Sequence, residues 1–382
     1  MIRINCEAGS NNQNTDASSK QQTTRMLTDW LEILGDGNLL AIGGGAVGVA
    51  FGFLAQRSRF CLRAAVIEFW HGRFGEKLSV WLLAFCSAVV AVQALVMAGG
   101  LDTSTARQIA ARGSLSGALL GGILFGVGMV MTRGCASRLL VLSANGNLRA
   151  LMSGLLFAVA AQSSLSGALS PLRVEISSWK TVEGGATRDL LATLGLTPLG
   201  GLVLGLLGWM VAFYFAQRSK LRPWMWLGSI GTGLAVAAAW GFSQWVARNA
   251  FEPVQIQGLT FSGPSAEWLM RVLQQPTPAV GFEFGLLPGV FAGSALGAWM
   301  GHDFKLEGFQ DGYSMRRYIA GAIFMGFGAM LAGGCAVGAG MTGGAIFALT
   351  SWLSLLGMWL GAGLTDHWLD PDEKPRSLPI AP

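Results

Sequence analysis

GGILFGVGMVMTRGCAS, residues 121–137, returns two hundred positions later as GAIFMGFGAMLAGGCAV, residues 321–337. Each copy is an apolar, glycine-rich run that ends on Gly-Cys, and the two copies align without a gap. Seven of the first sixteen positions are identical. A chain that duplicates a membrane helix together with the cysteine at its end is typical of a two-fold transporter whose substrate pathway passes the broken helix ends.

The composition predicts an integral membrane protein. Hydrophobic residues make up 52% of the chain and charged residues only 12%, and the mean hydropathy is +0.49. Segments long enough to span hydrocarbon and nearly free of charge lie at 38–56, 78–98, 115–132, 148–169, 199–216, 224–243, 285–301, 317–332 and 345–364. None of them alternates as a transmembrane strand does, so we predict an all-α polytopic protein with about nine transmembrane helices.

A second, fainter repeat indicates how the segments are paired. AVGVAFGF at 46–53 reappears as AVAAAWGF at 235–242, with five of eight positions identical. This pairs the first segment with the sixth and so on to the fourth with the ninth, which leaves the fifth segment as an odd linker. An odd linker inverts the second half. The predicted organisation is a polar N-terminal tail 1–37, a first repeat 38–169, a linker 170–223, a second repeat 224–366 and a C-terminal tail 367–382.

Three cysteines share one position relative to these helices. The spacing of nine residues from Gly52 to Cys61 recurs from Gly126 to Cys135 and from Gly326 to Cys335. Each thiol is followed by an apolar run too short to span a membrane, which we interpret as a re-entrant half-helix; the three runs are 62–70, 136–144 and 336–347. The predicted symmetry mate of Cys61 is Ala250, which would make a fourth broken-helix position without a thiol.

The broken ends predict an anion site. A half-helix presents unpaired backbone N–H groups and a positive dipole end. Gly134 and Gly334 permit close approach of a ligand to the backbone, and Arg59 and Arg133, two residues before their thiols, would add charge. A thiol is a weak donor that suits a terminal sulfur. We therefore predict that Cys61, Cys135 and Cys335 contact a small sulfur-containing anion.

Other features of the sequence exclude several function classes. The cysteines form no CxxC pair and no cluster with His at zinc spacing, so we predict neither a structural metal nor a cofactor. Cys86 is interpreted as a packing residue and Cys6 as incidental. Net charge +5 is spread over short loops without a basic stripe, which argues against nucleic acid as a partner. The stretch 247–284, with Ser265 as a cap, is interpreted as a surface helix.

Charge distribution predicts the topology. The loops on one side of the predicted membrane carry fourteen Lys and Arg, and the opposite loops carry seven. The positive-inside rule then places the N-terminus outside and the C-terminus in the cytoplasm. Arg59 and Arg133 are read equally well as such topology charges.

Three stretches resemble a known family: SRFCLRAAV at 58–66, TRGCASRLLV at 132–141 and GGCAVGAGMTGG at 333–344. They are similar, in order, to the three cysteine motifs of the YeeE/YedE family of bacterial sulfur-compound transporters. The resemblance implies a bacterial inner-membrane protein of two inverted halves that takes thiosulfate inward past three relay thiols, Cys61, Cys135 and Cys335. It also implies a small cytoplasmic sulfur-carrier protein as a partner. Some branches of the family are associated with selenium instead.

Two other function classes stay open at this stage. A membrane sulfurtransferase or thiol oxidoreductase would hold a persulfide on one of the thiols, and labelled sulfur would then remain on the protein. A channel-forming subunit without selectivity is disfavoured, because an apolar pore needs no repeated cysteines. We predict a transporter and not an enzyme.

Overall fold

A computed structural model describes residues 35–250, 253–273, 280–308 and 312–369. Cys6 and most of both predicted tails lie outside this part of the chain. Nine long helices are described: α1 Asp36–Ser58, α2 Glu76–Met97, α3 Leu115–Met131, α4 Leu148–Ser166, α5 Pro198–Arg218, α6 Pro223–Asn249, α7 Phe282–Gly301, α8 Gly312–Ala332 and α9 Leu349–Leu369.

Shorter helices lie between or beside the long ones. The Cys61 half-helix is Leu62–Trp70, the Cys135 half-helix is Ala136–Ala144, the Cys335 π-helix is Ala336–Gly343 and the Ser262 half-helix is Ser262–Leu273. Arg107–Ala110, Ser170–Ser178 and Leu190–Thr193 are short helices in connecting segments. Strand structure in the described residues is limited to Gly113–Ser114, which pairs antiparallel with Thr181–Val182. The protein is therefore all-α, as predicted.

Eight helical segments are long and apolar enough to cross a membrane. They contain α1 to α8, and α9 is a ninth long helix in the described residues that is less apolar. Each predicted hydrophobic segment therefore coincides with a long helix. The prediction of a polytopic membrane protein is confirmed.

The helix packing has an internal symmetry. α1 packs against α7 and α2 against α6; α3 packs against α9 and α4 against α8; α1 also contacts α6, and α3 contacts α8. If α1 to α4 are exchanged in order with α6 to α9, each pair in this set becomes another pair of the set or the same pair. α5 breaks the symmetry, because it packs against α2 and has no equivalent beside α7 in this set. This is the exchange that the sequence repeats predict, with the odd helix in the predicted place.

The short helices obey the same exchange. The Cys135 half-helix packs against α4 and α7, and the Cys335 π-helix packs against the equivalent pair, α9 and α2. The Cys61 half-helix packs against α2 and α9, and the Ser262 half-helix packs against α7 and α4. The Ser262 half-helix therefore occupies the place of a re-entrant element, and the interpretation of this stretch as a surface helix is wrong.

The start of this element also differs from the prediction. α6 ends at Asn249, residues 253–261 run without helix, and the chain becomes helical again at Ser262. The residue in front of the Ser262 half-helix is Phe261, so Phe261 and not Ala250 occupies the place that Cys61 holds in the first half. Ser265 lies inside the helix, where its hydroxyl donates to the Phe261 carbonyl at 2.6 Å.

Glycine brings the helix backbones into contact across the symmetric pairs. On α1, a methyl group at Gly48 would lie 2.5 Å from the Leu286 carbonyl oxygen, and on α3 a methyl group at Gly126 would lie 2.5 Å from the Met358 carbonyl oxygen. The facing helices α7 and α9 carry glycines that make the same approach in return. Small residues at four-residue spacing permit this packing in membranes, where helix association depends on close contact.

Candidate functional site

The three thiols follow backbone breaks of one conformation. Arg59, Arg133 and Gly333 have φ values of 55°, 57° and 80°, and each lies two residues before a cysteine. A left-handed residue ends a helix abruptly, and for an arginine this conformation is strained by about 1–2 kcal/mol. The repeated spacing in the sequence thus corresponds to a repeated turn that stops a long helix and starts a short one.

Each thiol occupies the position in front of a short helix. Cys61, Cys135 and Cys335 precede their helices directly, and their side chains are 8%, 0% and 1% exposed. The Cys335 sulfur accepts a hydrogen bond from the Gly338 N–H at 3.5 Å. The N–H groups of Ala64 and Arg138, also three residues on, interact with the other two sulfurs. Sulfur is a weak acceptor, so these amides are available to a stronger acceptor such as an anionic oxygen.

Two of the thiols lie together. The side chains of Cys61 and Cys135 lie close enough to interact electrostatically, although the residues are far apart in sequence. The Ser137 hydroxyl lies 3.4 Å from the Cys135 sulfur. Thr132 fixes the turn before this thiol, because its hydroxyl donates to the Gly128 and Gly134 carbonyls at 2.9 Å each. The first half therefore builds a buried cluster of two thiols and one hydroxyl.

An arginine that is not among the predicted site residues lies beside this cluster. Arg138, on the first turn of the Cys135 half-helix, is half-buried and interacts electrostatically with both Cys61 and Cys135. Its guanidinium donates to the Gln56 amide oxygen at 3.5 Å, and the Gln56 amide nitrogen donates to the Asp303 carboxylate at 3.4 Å. Arg63 is a second half-buried arginine that interacts with Cys61. Arg63 and Arg138 are two of the fourteen basic residues that the charge distribution places on one side of the predicted membrane.

The two arginines predicted for the site lie at the turns of the breaks themselves. Arg59 and Arg133 are exposed at the left-handed turn positions, and Arg59 interacts with Arg138. At Gly134 a methyl group would be in ordinary contact with Leu139 at 3.4 Å, whereas at Gly334 a methyl group would lie 2.7 Å from the Ala339 nitrogen. Close packing therefore requires glycine at 334 but not at 134.

Cys335 belongs to the other half and lies in different surroundings. The π-helix that follows it is held by residues 253–261 and by α6, since the Thr342 hydroxyl donates to the Leu259 carbonyl at 2.6 Å and Trp240 of α6 donates to the Thr342 carbonyl at 3.4 Å. A methyl group at Gly338 would lie 2.8 Å from Thr260. The Cys335 π-helix also contacts the Cys135 half-helix, so the two repeated cysteine motifs meet at their short helices.

The site offers thiols, amides at the starts of short helices and guanidinium groups. In the part of the chain that the structure describes, no group of three His, Cys, Asp or Glu residues is placed to hold a metal ion. Amides at helix starts and arginine side chains bind oxyanions, and thiols contact soft sulfur. The arrangement is therefore suited to a small anion that carries both oxygen and sulfur.

Comparison with known proteins gives the family. The family model described as Sulphur transport matches residues 57–364, which include all three cysteine motifs. The chain belongs to this sulphur transport family. The chain is 29% identical over 333 residues to the thiosulfate transporter TsuA of Spirochaeta thermophila, covering 82% of this chain and 95% of that protein. It is 25% identical over 349 residues to the thiosulfate transporter TsuA of Escherichia coli, covering 86% and 94%. The predicted family is confirmed.

Proposed function

We propose that this member of the sulphur transport family imports thiosulfate across the bacterial inner membrane, handed without covalent chemistry past Cys335, Cys135 and Cys61. The names of its two relatives support the substrate. The observation that carries the proposal is the placement of three buried thiols, each in front of a short helix whose first amides face it.

The two ends of the substrate would be recognised by different groups. Oxyanion oxygens accept from the amides at the starts of the half-helices, where the helix dipole favours negative charge. The terminal sulfur accepts from a thiol S–H, a contact of soft groups. Arg138 lies where it would offset the substrate charge beside Cys61 and Cys135. Several weak contacts of this kind suit a transport site, because a substrate that binds too tightly does not leave.

The proposed direction and orientation rest on the predicted topology. With the N-terminus outside, Cys335 follows a helix that ends at the outer side, and Cys61 and Cys135 follow helices that end at the inner side. Inward movement would then pass Cys335 before the thiol pair. The small cytoplasmic sulfur carrier that the resemblance implies would receive the substrate near Cys61. Purification of the carrier from cells that do or do not express this chain tests whether the two proteins bind each other.

Uptake measured with single-cysteine variants tests the function. Cells without their own thiosulfate uptake would express Cys61→Ala, Cys135→Ala or Cys335→Ala, and each change should abolish or strongly reduce uptake at unchanged membrane levels. Cys86→Ala is the matched control, because Cys86 is also a buried cysteine, 8% exposed, but lies within α2 away from any break. Wild-type uptake by Cys135→Ala would remove the thiol pathway from the proposal.

Labelling the two sulfurs separately distinguishes transport from sulfur transfer. Thiosulfate with a different isotope at each sulfur should appear inside vesicles with both labels in equal amounts, because the proposed mechanism breaks no bond. A sulfurtransferase would leave the label of the terminal sulfur on the protein as a persulfide. Unequal internal labels would therefore contradict the proposal and favour the membrane enzyme.

A further inference from the structure

An apolar cavity lies beside the Cys135 half-helix, outside the thiol cluster. Its volume is about 500 Å³, and its walls come from the Cys135 half-helix, α4, the Ser262 half-helix and α7. This is the volume of a small-molecule site. Leu139 and Phe157 at its inner wall are 2% and 1% exposed, whereas Leu155 and Val272 at its rim are 54% and 76% exposed. The cavity therefore runs from the buried half-helix to the outer face of the bundle.

The symmetry-equivalent space shows what belongs in such a cavity. The helices that occupy the symmetry-equivalent positions are the Cys335 π-helix, α9, the Cys61 half-helix and α2. There the space between the helices is filled by packed aromatic rings. Trp81 stacks on Phe85 with ring centroids 5.2 Å apart, Trp359 contacts Phe69 at 5.1 Å and Trp81 at 5.7 Å, and Phe85 contacts Trp352 at 5.6 Å.

Counting from the first residue of each helix shows that four of these five rings have smaller partners at the cavity, whereas Phe85 corresponds to Phe291. The fourth and eleventh residues of α9 are Trp352 and Trp359; those of α4 are Leu151 and Ala158. The sixth residue of α2 is Trp81, and that of α7 is Leu287.

The Cys61 half-helix has Phe69 in eighth place, where the Ser262 half-helix has Leu269. Leu151, Ala158, Leu269 and Leu287 all line the cavity. The residues that line the cavity are thus smaller at four of the five positions where the equivalent space holds an aromatic ring.

Empty apolar space of this size is destabilising, because its lining loses contacts. The rim of the cavity is continuous with the exposed apolar faces of α4 and α7, which belong to segments apolar enough to cross a membrane. The solvent at such a face is the lipid bilayer. The lining is mostly apolar, and Ser143 and Ser265 are its two residues with a side-chain hydroxyl group. We infer that this cavity is a binding site for a phospholipid acyl chain, which takes the place of the aromatic rings found in the symmetry-equivalent space.

Photo-crosslinking from the acyl chain tests this site. The full chain is placed in nanodiscs with phosphatidylcholine that carries a diazirine midway along one acyl chain, and labelled peptides are mapped by mass spectrometry. The label should reach Leu139 and Leu140 on the Cys135 half-helix, as well as exposed residues of α5 such as Val203. Absence of label on the half-helix, with α5 labelled, would overturn the inference.

A variant that carries the aromatic residues of the symmetry-equivalent space gives the strictest test. Leu151→Trp with Ala158→Trp should lower the half-helix label at least tenfold and leave the α5 label unchanged. Val159→Trp is the matched control, because Val159 lies on α4 and is 51% exposed but does not line the cavity. Unchanged half-helix label in the double variant would refute an acyl chain in the cavity.

The reciprocal change gives an independent reading if the filled variant does not fold. Trp352→Leu with Trp359→Ala should open the equivalent space, so that the Cys335 π-helix gains the label that it lacks in the wild type. A folded reciprocal variant without this gain would overturn the equivalence on which the inference rests. Neither labelling experiment measures thiosulfate uptake. The acyl-chain site can therefore be confirmed or refuted even if the proposed transport function is wrong.

Discussion

Replacement of Arg138 by Gln should weaken substrate binding more than any other removal of a single positive charge near the thiols. Arg138 is half-buried and interacts with both Cys61 and Cys135, and its described hydrogen bond to Gln56 is long at 3.5 Å. Its guanidinium therefore has donors to give to an anion beside the thiol pair. The change to Gln also removes a positive charge that interacts with the Asp303 carboxylate.

The size of the effect follows from the contact that is lost. A hydrogen bond to a charged group contributes about 1.5–3 kcal/mol, which corresponds to roughly a 10- to 150-fold rise in the apparent KM for thiosulfate. Arg138→Lys keeps the charge and loses the planar pair of donors, so its KM should lie between those of wild type and Arg138→Gln. Arg59→Gln and Arg133→Gln remove exposed charges at the turns and should change KM by less than about threefold, because exposed charges are screened.

The assay is initial-rate uptake of labelled thiosulfate into vesicles at fixed ionic strength, with transporter level measured in the same membranes. Arg218→Gln is the matched control, since Arg218 is an exposed arginine at the end of α5, away from the thiols. A wild-type KM for Arg138→Gln, with a raised KM for Arg59→Gln or Arg133→Gln, would refute the assignment of the charge and favour the arginines predicted from sequence.

Three further predictions concern packing, substrate choice and the thiol pair. Gly285→Ala should lower the free energy of unfolding in detergent by about 1–3 kcal/mol, because the added methyl group would overlap the Ala41 carbonyl oxygen; Gly154→Ala, which adds the same group where no atom lies within 4 Å, should change it little, and equal effects would contradict the packing described. Excess sulfate should hardly inhibit thiosulfate uptake while a selenium analogue of thiosulfate should compete, because sulfate has no soft atom for the thiols; equal inhibition would indicate a general anion pathway. Diamide, which takes up the two electrons and two protons of two thiols, should join Cys61 to Cys135 and stop uptake until dithiothreitol is added; a link from either residue to Cys335, seen by peptide mapping, would be inconsistent with the contact between them.

The long helices were predictable because the membrane imposes one rule on them. A segment that crosses hydrocarbon must satisfy its backbone internally and be apolar over its length, so α1 to α8 are visible as charge-free runs. The sequence predicts the Ser262 half-helix only as a surface helix, because its twelve residues are too few to cross hydrocarbon as a full span. It contains Glu267 and Arg271 and is separated from α6 by residues 253–261, which hides its equivalence to the Cys61 half-helix.

Only part of the site could be predicted from the chain. The common offset of Cys61, Cys135 and Cys335 from their helices marks the breaks, since repeated residues at repeated turns have a local cause. The role of Arg138 depends on the rotation of the Cys135 half-helix about its axis, which is set by packing against α4 and α7. A basic residue at a membrane edge reads as a topology charge until that rotation is known. The contact between two thiols of the same half likewise follows from packing alone.

The pairing of α1 with α7 and of α3 with α9 has a consequence for how the protein moves. In each pair a helix of one half packs against a helix of the other half, and glycines at these crossings bring the two backbones into contact. Two such halves are interlaced, so neither can swing as a unit without parting the crossings. A turnover would instead require displacements confined to the half-helices and side chains within a frame that stays still. Cross-links that tie α1 to α7 should accordingly leave uptake intact, which would set this protein apart from carriers that rock as two rigid bodies.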